Sequence, residues 1–253
     1  MSDPLGGFVP ETVKNDEPAR EAVLRLGKVV TDRAEVLLGK EKLTKESPEY
    51  WGIAPLVTDE QCEIAIRMKK RKPRTLADMK KLCPEYSEEE LLKQLADMSE
   101  NGIIEWNYEN PQHEKQWVLP MFVPGSAEFT NMNKQVLEEH PEMGRFFERM
   151  SRIPLEKVTP MVPPGGAGIG MHVIPVEKAI EMENKSVSVE HISHWLDKYD
   201  GKYAASPCSC RQSRKTYEEG CGDDPEGWCI AVGDMADYVV ETNKGGRYIT
   251  REE

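Results

Sequence analysis

Apolar residues recur at three- and four-residue intervals along much of this chain, which is the spacing of amphipathic helices. Residues 1–17 are polar with scattered glycine and proline, and we expect an extended arm there. Pro18 can open a helix, and apolar positions from Ala22 to Leu38 follow at helical spacing. The pattern therefore predicts an N-terminal arm and helix within residues 1–57.

The next block, residues 58–123, carries the clearest pattern in the chain. Thr58 and Ser87 are each followed three residues later by Gln or Glu, which makes two capping boxes, and Thr75 can cap a short helix between them. Apolar and aromatic residues after the last helix then predict the two strands of a β-hairpin. Three short helices followed by a hairpin resemble a winged helix.

The C-terminal half divides into two further regions. Residues 124–200 predict a helical linker region with a Gly/Pro-rich loop at 159–170, whose glycines match neither GxGxxG nor GxxxxGK[ST]. Residues 201–253 contain four of the six cysteines in a segment that reads as loop-rich. The predicted fold class is mainly α with a small β-hairpin, an α+β protein in which a winged-helix-like module precedes a loop-rich metal-binding region.

Composition and charge narrow the classes of function. The hydrophobic content of 38% supports a packed core, and the formal net charge of −12 opposes binding to nucleic acid phosphates. No apolar run approaches the length of a membrane span. The N-terminus, MSDPLGGFVPE, lacks the basic and apolar regions of a secretory signal. We therefore expect a cytoplasmic protein in a reducing compartment, where clustered cysteines are more often metal ligands than disulfides.

A winged helix would raise DNA binding as a rival function, since such folds often read DNA with the third helix. Here that helix carries Glu88, Glu89, Glu90, Asp97 and Glu100 against a single Lys93. Such a face repels a phosphate backbone. The module is therefore better suited to packing or to docking a protein partner.

Four cysteines, Cys208, Cys210, Cys221 and Cys229, are the candidate metal ligands. Their spacing, C-x-C-x10-C-x7-C, matches neither the common ferredoxin patterns nor the paired C-x2-C knuckles of a zinc ribbon. Four thiolates suit a [4Fe–4S] cluster or a tetrahedral Zn²⁺, and spacing alone leaves both open.

Three basic residues follow the first cysteine pair directly. Arg211, Arg214 and Lys215 are candidate cofactor-binding residues, because positive charge there offsets a negative cluster and favours thiolate over thiol. The remaining cysteines, Cys62 and Cys83, occupy apolar positions of predicted helices, where we expect small buried side chains.

The C-terminal pattern also carries a family resemblance. The run CxCR, then C, then PexWCIxxGxxAxY, then GGRyIT is similar to a four-cysteine segment in iron–sulfur proteins of anaerobic bacteria and archaea. It most resembles the N-terminal extension of FAD-dependent pyridine nucleotide–disulfide oxidoreductase-type proteins with ferredoxin domains, over residues 172–253. The resemblance implies that the four cysteines bind a cluster that relays electrons between a flavin domain and other clusters.

The resemblance also sets expectations for cofactors and partners. Thr250 with Glu253 forms a capping box at the very end of the sequence, so we expect a fragment truncated at its C-terminus. FAD and NAD(P)H are then expected only on the missing part, and the partners are flavin and ferredoxin domains of the same or another protein. The chain would be the electron-transfer portion of an oxidoreductase, without a complete active site. The alternative is a structural zinc-binding winged-helix module with an interaction or regulatory role.

Overall fold

The computed structural model describes residues 9–30, 43–122, 125–147, 192–199, 201–216, 226 and 229–253. Its helices are α1 (Glu11–Lys14), α2 (Glu21–Val30), α3 (Pro48–Trp51), α4 (Asp59–Met68), α5 (Leu76–Leu82), α6 (Glu88–Glu100), α7 (Ser126–Met132), α8 (Lys134–Glu139), α9 (Ile192–Lys198), α10 (Ser209–Lys215) and α11 (Asp234–Glu241). Its strands are β1 (Arg74–Thr75), β2 (Glu105–Asn107), β3 (Gln116–Val118), β4 (Tyr203–Ser206), β5 (Cys229–Val232) and β6 (Arg247–Ile249). The described chain is thus an α+β structure with two small antiparallel sheets. The Gly/Pro-rich loop predicted at 159–170 lies outside the described residues.

The segment from α4 to β3, residues 59–118, is called the helical module here. Its sheet has the order β1–β3–β2, and Trp106 of β2 lies directly opposite Trp117 of β3. The sequence predicted only the two strands of the hairpin, and the third strand begins in the basic run at residues 69–74. The backbone N–H of Arg71 donates to the carbonyl of Leu119 at 2.8 Å, which draws this run beside β3, and Arg74 then pairs there as a third strand.

The helix starts of the module are fixed by side-chain caps. Both predicted capping boxes, at Thr58 and Ser87, are present, and Thr75 forms a third with Asp78. The Thr58 hydroxyl accepts from the Gln61 N–H at 3.2 Å, while the Gln61 side chain accepts from the Thr58 N–H at 3.0 Å. Each cap satisfies backbone donors that have no partner inside the helix and contributes about 1 kcal/mol.

The core of the module is apolar and dry. Ile64 and Met68 on α4 and Leu91, Leu95 and Met98 on α6 belong to one hydrophobic cluster, and all five side chains are fully buried. Burial of each such side chain contributes roughly 1.5–3 kcal/mol, so these contacts dominate the stability of the module. Cys62 and Cys83 are also buried, which confirms that they occupy the core.

The N-terminal helix α2 packs against α4 and is held at its start by one arginine. The Arg20 guanidinium donates to the carbonyls of Ala54 at 2.9 Å and Val57 at 2.8 Å, and it pairs with Asp59 at 2.7 Å. These contacts join the start of α2 to the turn that leads into α4.

The strands β4, β5 and β6 form the second sheet, called the cysteine sheet here, in the order β5–β4–β6. The sequence predicted a loop-rich segment, and this is wrong for Ser209–Lys215 and Cys229–Val232, which are helix and strand. Small residues such as Ala204 and Ala205 let β4 lie buried at the centre of the sheet. Among the described residues, no helix is both long and apolar enough to cross a bilayer.

Polar contacts join the cysteine sheet to the helical module. The Tyr238 hydroxyl, on α11, donates to the Ile104 carbonyl at 2.8 Å. The ammonium group of Lys244, which is fully buried, donates to the carbonyls of Ser99 at 2.9 Å and Thr242 at 2.8 Å, and also to that of Glu100. Lys244 therefore caps the C-terminal end of α6, where helix carbonyls lack partners.

Candidate thiol centre

Three of the four predicted ligands meet at one end of the cysteine sheet. Strand β4 ends at Ser206, and Pro207 leads at once to Cys208, which precedes α10. Cys210 lies in the first turn of that helix. Cys229 begins β5 directly opposite Ser206, so the sheet register returns it to the same place. We call Cys208, Cys210 and Cys229 the thiol centre.

The Cys208 sulfur is the acceptor at the middle of this group. The thiols of Cys210 and Cys229 both hydrogen-bond to it, and the backbone N–H groups of Arg211 and Cys210 add to the stabilisation. These donors lower the pKa of Cys208 far below its ordinary range. The centre therefore favours one thiolate, at Cys208, at neutral pH.

The pKa values of the two donor thiols, Cys210 and Cys229, shift in the opposite direction. The pKa values of Cys210 and Cys229 are raised, chiefly because each shares its proton with Cys208. Cys210 is exposed while the other two are half-buried, so one sulfur of the centre faces solvent. The thiol centre thus combines a stabilised anion with an open edge.

The fourth predicted ligand, Cys221, lies outside the described residues. Among the residues that the structure does describe, no three His, Cys, Asp or Glu side chains have the arrangement of a metal site. The thiols are close enough to exchange hydrogen bonds, but three sulfurs alone do not form the closed tetrahedral set typical of a structural zinc.

Helix α7 supports the turn between the first two cysteines. The side-chain amide of Asn131, which is fully buried, donates to the carbonyl of Ser209. Its Oδ1 has no hydrogen-bond partner among the described residues. One turn earlier on the same helix, the Glu128 carboxylate accepts from the Gly125 N–H at 2.7 Å and raises the pKa of Cys210 by its charge. Sequence reasoning missed both residues, because they lie about 80 positions before the cysteines.

The three basic residues predicted to contact a cofactor all lie on α10. Arg211 and Arg214 are half-buried, whereas Lys215 is exposed. Between them Ser213 is buried, and its hydroxyl donates to the Gly144 carbonyl at 2.7 Å. The helix is therefore fixed to the rest of the protein by its buried face, which holds the first two cysteines in place.

The two core cysteines form no part of this centre. Burial raises the pKa of Cys62 to about 12, and burial also raises the pKa of Cys83. Both thiols therefore stay protonated near neutral pH, and a buried thiol is a poor metal ligand. They offer natural controls for the chemistry of the other cysteines.

Comparison with known proteins found no relative of this chain. No protein-family model, no curated protein and no solved structure matches the chain.

Proposed function

We propose that this protein binds a [4Fe–4S] cluster through Cys208, Cys210, Cys229 and Cys221 and transfers electrons within a larger oxidoreductase system. The observation that carries the proposal is that the fold brings three sulfurs together: the sheet register places Cys229 opposite Ser206, and Cys229 and Cys210 both contact Cys208. Thiolates near backbone N–H groups are the donor set that iron–sulfur clusters use. Such a cluster, when bound, supplies one-electron redox chemistry.

The chain's own residues would have three tasks at this site. The cysteine sheet holds Cys229 opposite the start of α10, and Asn131 orients the turn that carries Cys208 and Cys210. The exposed Cys210 leaves one edge open, where a redox partner can approach. A flavin or ferredoxin domain, on this or another protein in the cytoplasm, is the partner that the sequence resemblance implies.

We further propose that the helical module is a winged-helix-like domain that precedes the cysteine metal-binding region. The order helix, strand, helix, helix and hairpin supports this, as does the strand order β1–β3–β2. The first turn of α6 carries Glu88, Glu89 and Glu90, so its face repels DNA and favours a protein partner.

The test is a metal and sulfide analysis of the full chain purified without oxygen. We expect iron and acid-labile sulfide with the brown colour of a cluster. Both should be lost in Cys210→Ser and Cys221→Ser and retained in Cys62→Ala, since Cys62 lies in the helical core. Retention of full iron in Cys210→Ser and Cys229→Ser would contradict the proposal.

The same preparation distinguishes a zinc site from an iron–sulfur cluster. A colourless protein that carries zinc, lost in the same cysteine variants and retained in Cys62→Ala, would instead indicate a structural zinc site in an interaction or regulatory module. Neither metal after anaerobic reconstitution with iron and sulfide, or with zinc, would overturn both assignments.

A further inference from the structure

A groove separate from the thiol centre lies on the helical module. It has a volume of about 860 Å³ and is bounded by α5, α6, the β2–β3 hairpin and the end of α11. Pockets of roughly 300–1,000 Å³ are typical of small-molecule sites. We call it the indole groove, because Trp106 and Trp117 form its floor.

The floor and one wall of the groove are apolar. Trp106 and Trp117 lie opposite each other across the hairpin and both line the groove, although each side chain is buried and only a small part of it is accessible. On the wall, Leu92 of α6 is 38% exposed, although its helix neighbours Leu91 and Leu95 are fully buried. The groove therefore offers apolar and aromatic contacts to a ligand.

The chain itself places a cation on this floor. The ammonium group of Lys115 lies 3.8 Å from the centroid of the Trp106 ring. A cation over an indole face is attracted by the negative charge of the ring face, and tryptophan is the best aromatic partner for it. Lys115 reaches this position from the loop of the hairpin, although partial burial lowers its pKa and opposes its charge.

The rim of the groove is rich in carboxylates. Glu88, Glu100, Glu114 and Glu241 line it together with Lys80 and Lys115. Lys80 is paired with Glu88 at 2.7 Å, and Glu241 lies close enough to Lys115 to favour its charge. In the described part of the protein, the side chains of Glu100 and Glu114 form no ion pair. The rim is thus negative and repels anions.

We propose that the indole groove binds a small organic ammonium compound, whose cationic group replaces that of Lys115 on the face of Trp106. The face of Trp106 selects a cation once the Lys115 ammonium has moved away, and the carboxylates at the rim provide its counter-charge. The groove's volume leaves room for the uncharged body of the ligand against Leu92. A phosphate or carboxylate compound fits this site poorly, since it would face unpaired carboxylates in a partly desolvated groove.

The test compares choline with its uncharged isostere, 3,3-dimethylbutan-1-ol, by isothermal titration calorimetry on the full chain. The two probes have nearly the same shape, so their difference reports the charge. We expect choline to bind at least about 5-fold more tightly than the alcohol, a ratio typical of a cation on a tryptophan face. Indole N–H signals in NMR spectra should shift with choline.

Three variants place the binding in the groove. Lys115→Met removes the competing ammonium but keeps an apolar stem, so choline affinity should rise several-fold. Glu241→Gln removes a rim charge and should lower the affinity, whereas Glu89→Gln, the same change on the exposed face of α6, should leave it unchanged. Equal binding of the two probes, no binding to Lys115→Met, or equal effects of the two Gln variants would overturn the proposal.

Discussion

The helical module and the cysteine sheet are stabilised in different ways. The module closes around fully buried apolar side chains, and its helix starts are capped by neighbours in sequence. The cysteine sheet and α11 add Ala204, Ala236 and Val239 to the same apolar cluster. They are also joined to the module by the buried polar groups of Lys244 and Tyr238, whose partners lie more than 130 positions earlier. The module therefore carries its own stability, whereas the cysteine sheet depends on a correctly folded module.

This difference suits the proposed chemistry. A thiol centre needs a few polar groups placed by distant parts of the chain, and such placement requires a rigid support. Hydrogen bonds to buried carbonyls supply direction, while the apolar core of the module supplies the support. Variants in the two regions should consequently differ in how much of the protein they destabilise.

The largest effect should follow Leu95→Ala, which opens a cavity in the core of the module. Loss of a fully buried leucine side chain costs about 2–5 kcal/mol in the free energy of unfolding. Because the cysteine sheet depends on the module, hydrogen exchange should rise in both regions. Leu92→Ala, three residues earlier and 38% exposed, is the control and should cost less than about 1 kcal/mol. Protection that persists in the cysteine sheet of the Leu95 variant would break the comparison.

An intermediate effect should follow Lys244→Met, which removes the buried donor between the regions. The carbonyls of Ser99 and Glu100 then lose a partner, and we expect a loss of about 1–3 kcal/mol in urea unfolding. Hydrogen exchange should rise in the cysteine sheet and stay slow in α4. Lys202→Met is the matched control, because Lys202 is exposed and its ion pairs with Asp234 and Asp237 contribute little. Equal effects of the two variants would contradict the role of Lys244.

The pH dependence of stability sharpens this test. Burial lowers the pKa of Lys244 from 10.5 to about 7 in the folded protein. Below pH 7 the Lys244 side chain is charged in both the folded and the unfolded state. Between pH 7 and pH 10.5 only the unfolded chain binds the proton. The free energy of unfolding should therefore rise with pH over this window, by up to about 1.4 kcal/mol per pH unit. Lys244→Met should lack this rise, so parallel pH profiles would refute the assignment.

The smallest effect on the fold should follow Asn131→Leu, which acts on the thiol centre alone. The Ser209 carbonyl loses its donor, so the turn between Cys208 and Cys210 is held less firmly. If the proposed cluster is bound, a chelator should remove its iron roughly 10-fold faster, the usual scale for groups that orient metal ligands. Gln135→Leu, on the exposed side of the next helix, is the control. Identical release rates in the two variants would remove Asn131 from the supporting residues.

The two regions also differ in how far the sequence predicts them. The helix starts at Thr58, Thr75 and Ser87 depend on residues three positions away, and local patterns found all three. Within the helical region predicted over residues 124–200, local patterns give no helix boundary near residue 133, but the structure ends α7 at Met132. The side chain of Asn133 accepts from the Val136 N–H and begins α8 instead. A cap inside an apolar pattern competes with helix continuation, and periodicity alone does not decide between them.

The thiol centre shows more clearly what the spacing of residues in the sequence cannot predict. Cys208 and Cys210 are only two residues apart, so the sequence places their backbones close together. Side chains with this spacing on a helix do not face each other, and the extended backbone of Cys208 before α10 is not predicted by the spacing. Cys229 joins them only because β5 pairs with β4 in one register, and a shift by one residue would turn its side chain to the other face of the sheet. Asn131 and Lys244 carry no local signal, because their partners are carbonyls in distant segments.

Strand β5 begins at Cys229, and only Gly233 separates its end from α11. Asp234, the first residue of α11, accepts a hydrogen bond from the Tyr108 N–H at 2.8 Å. Four extended residues form a nearly inextensible link of about 13 Å. Any displacement of Cys229 on oxidation or ligand exchange would consequently be transmitted through Gly233 to the hairpin. A chemical event at one end of this molecule thus has a short covalent route to a surface that a partner could sense.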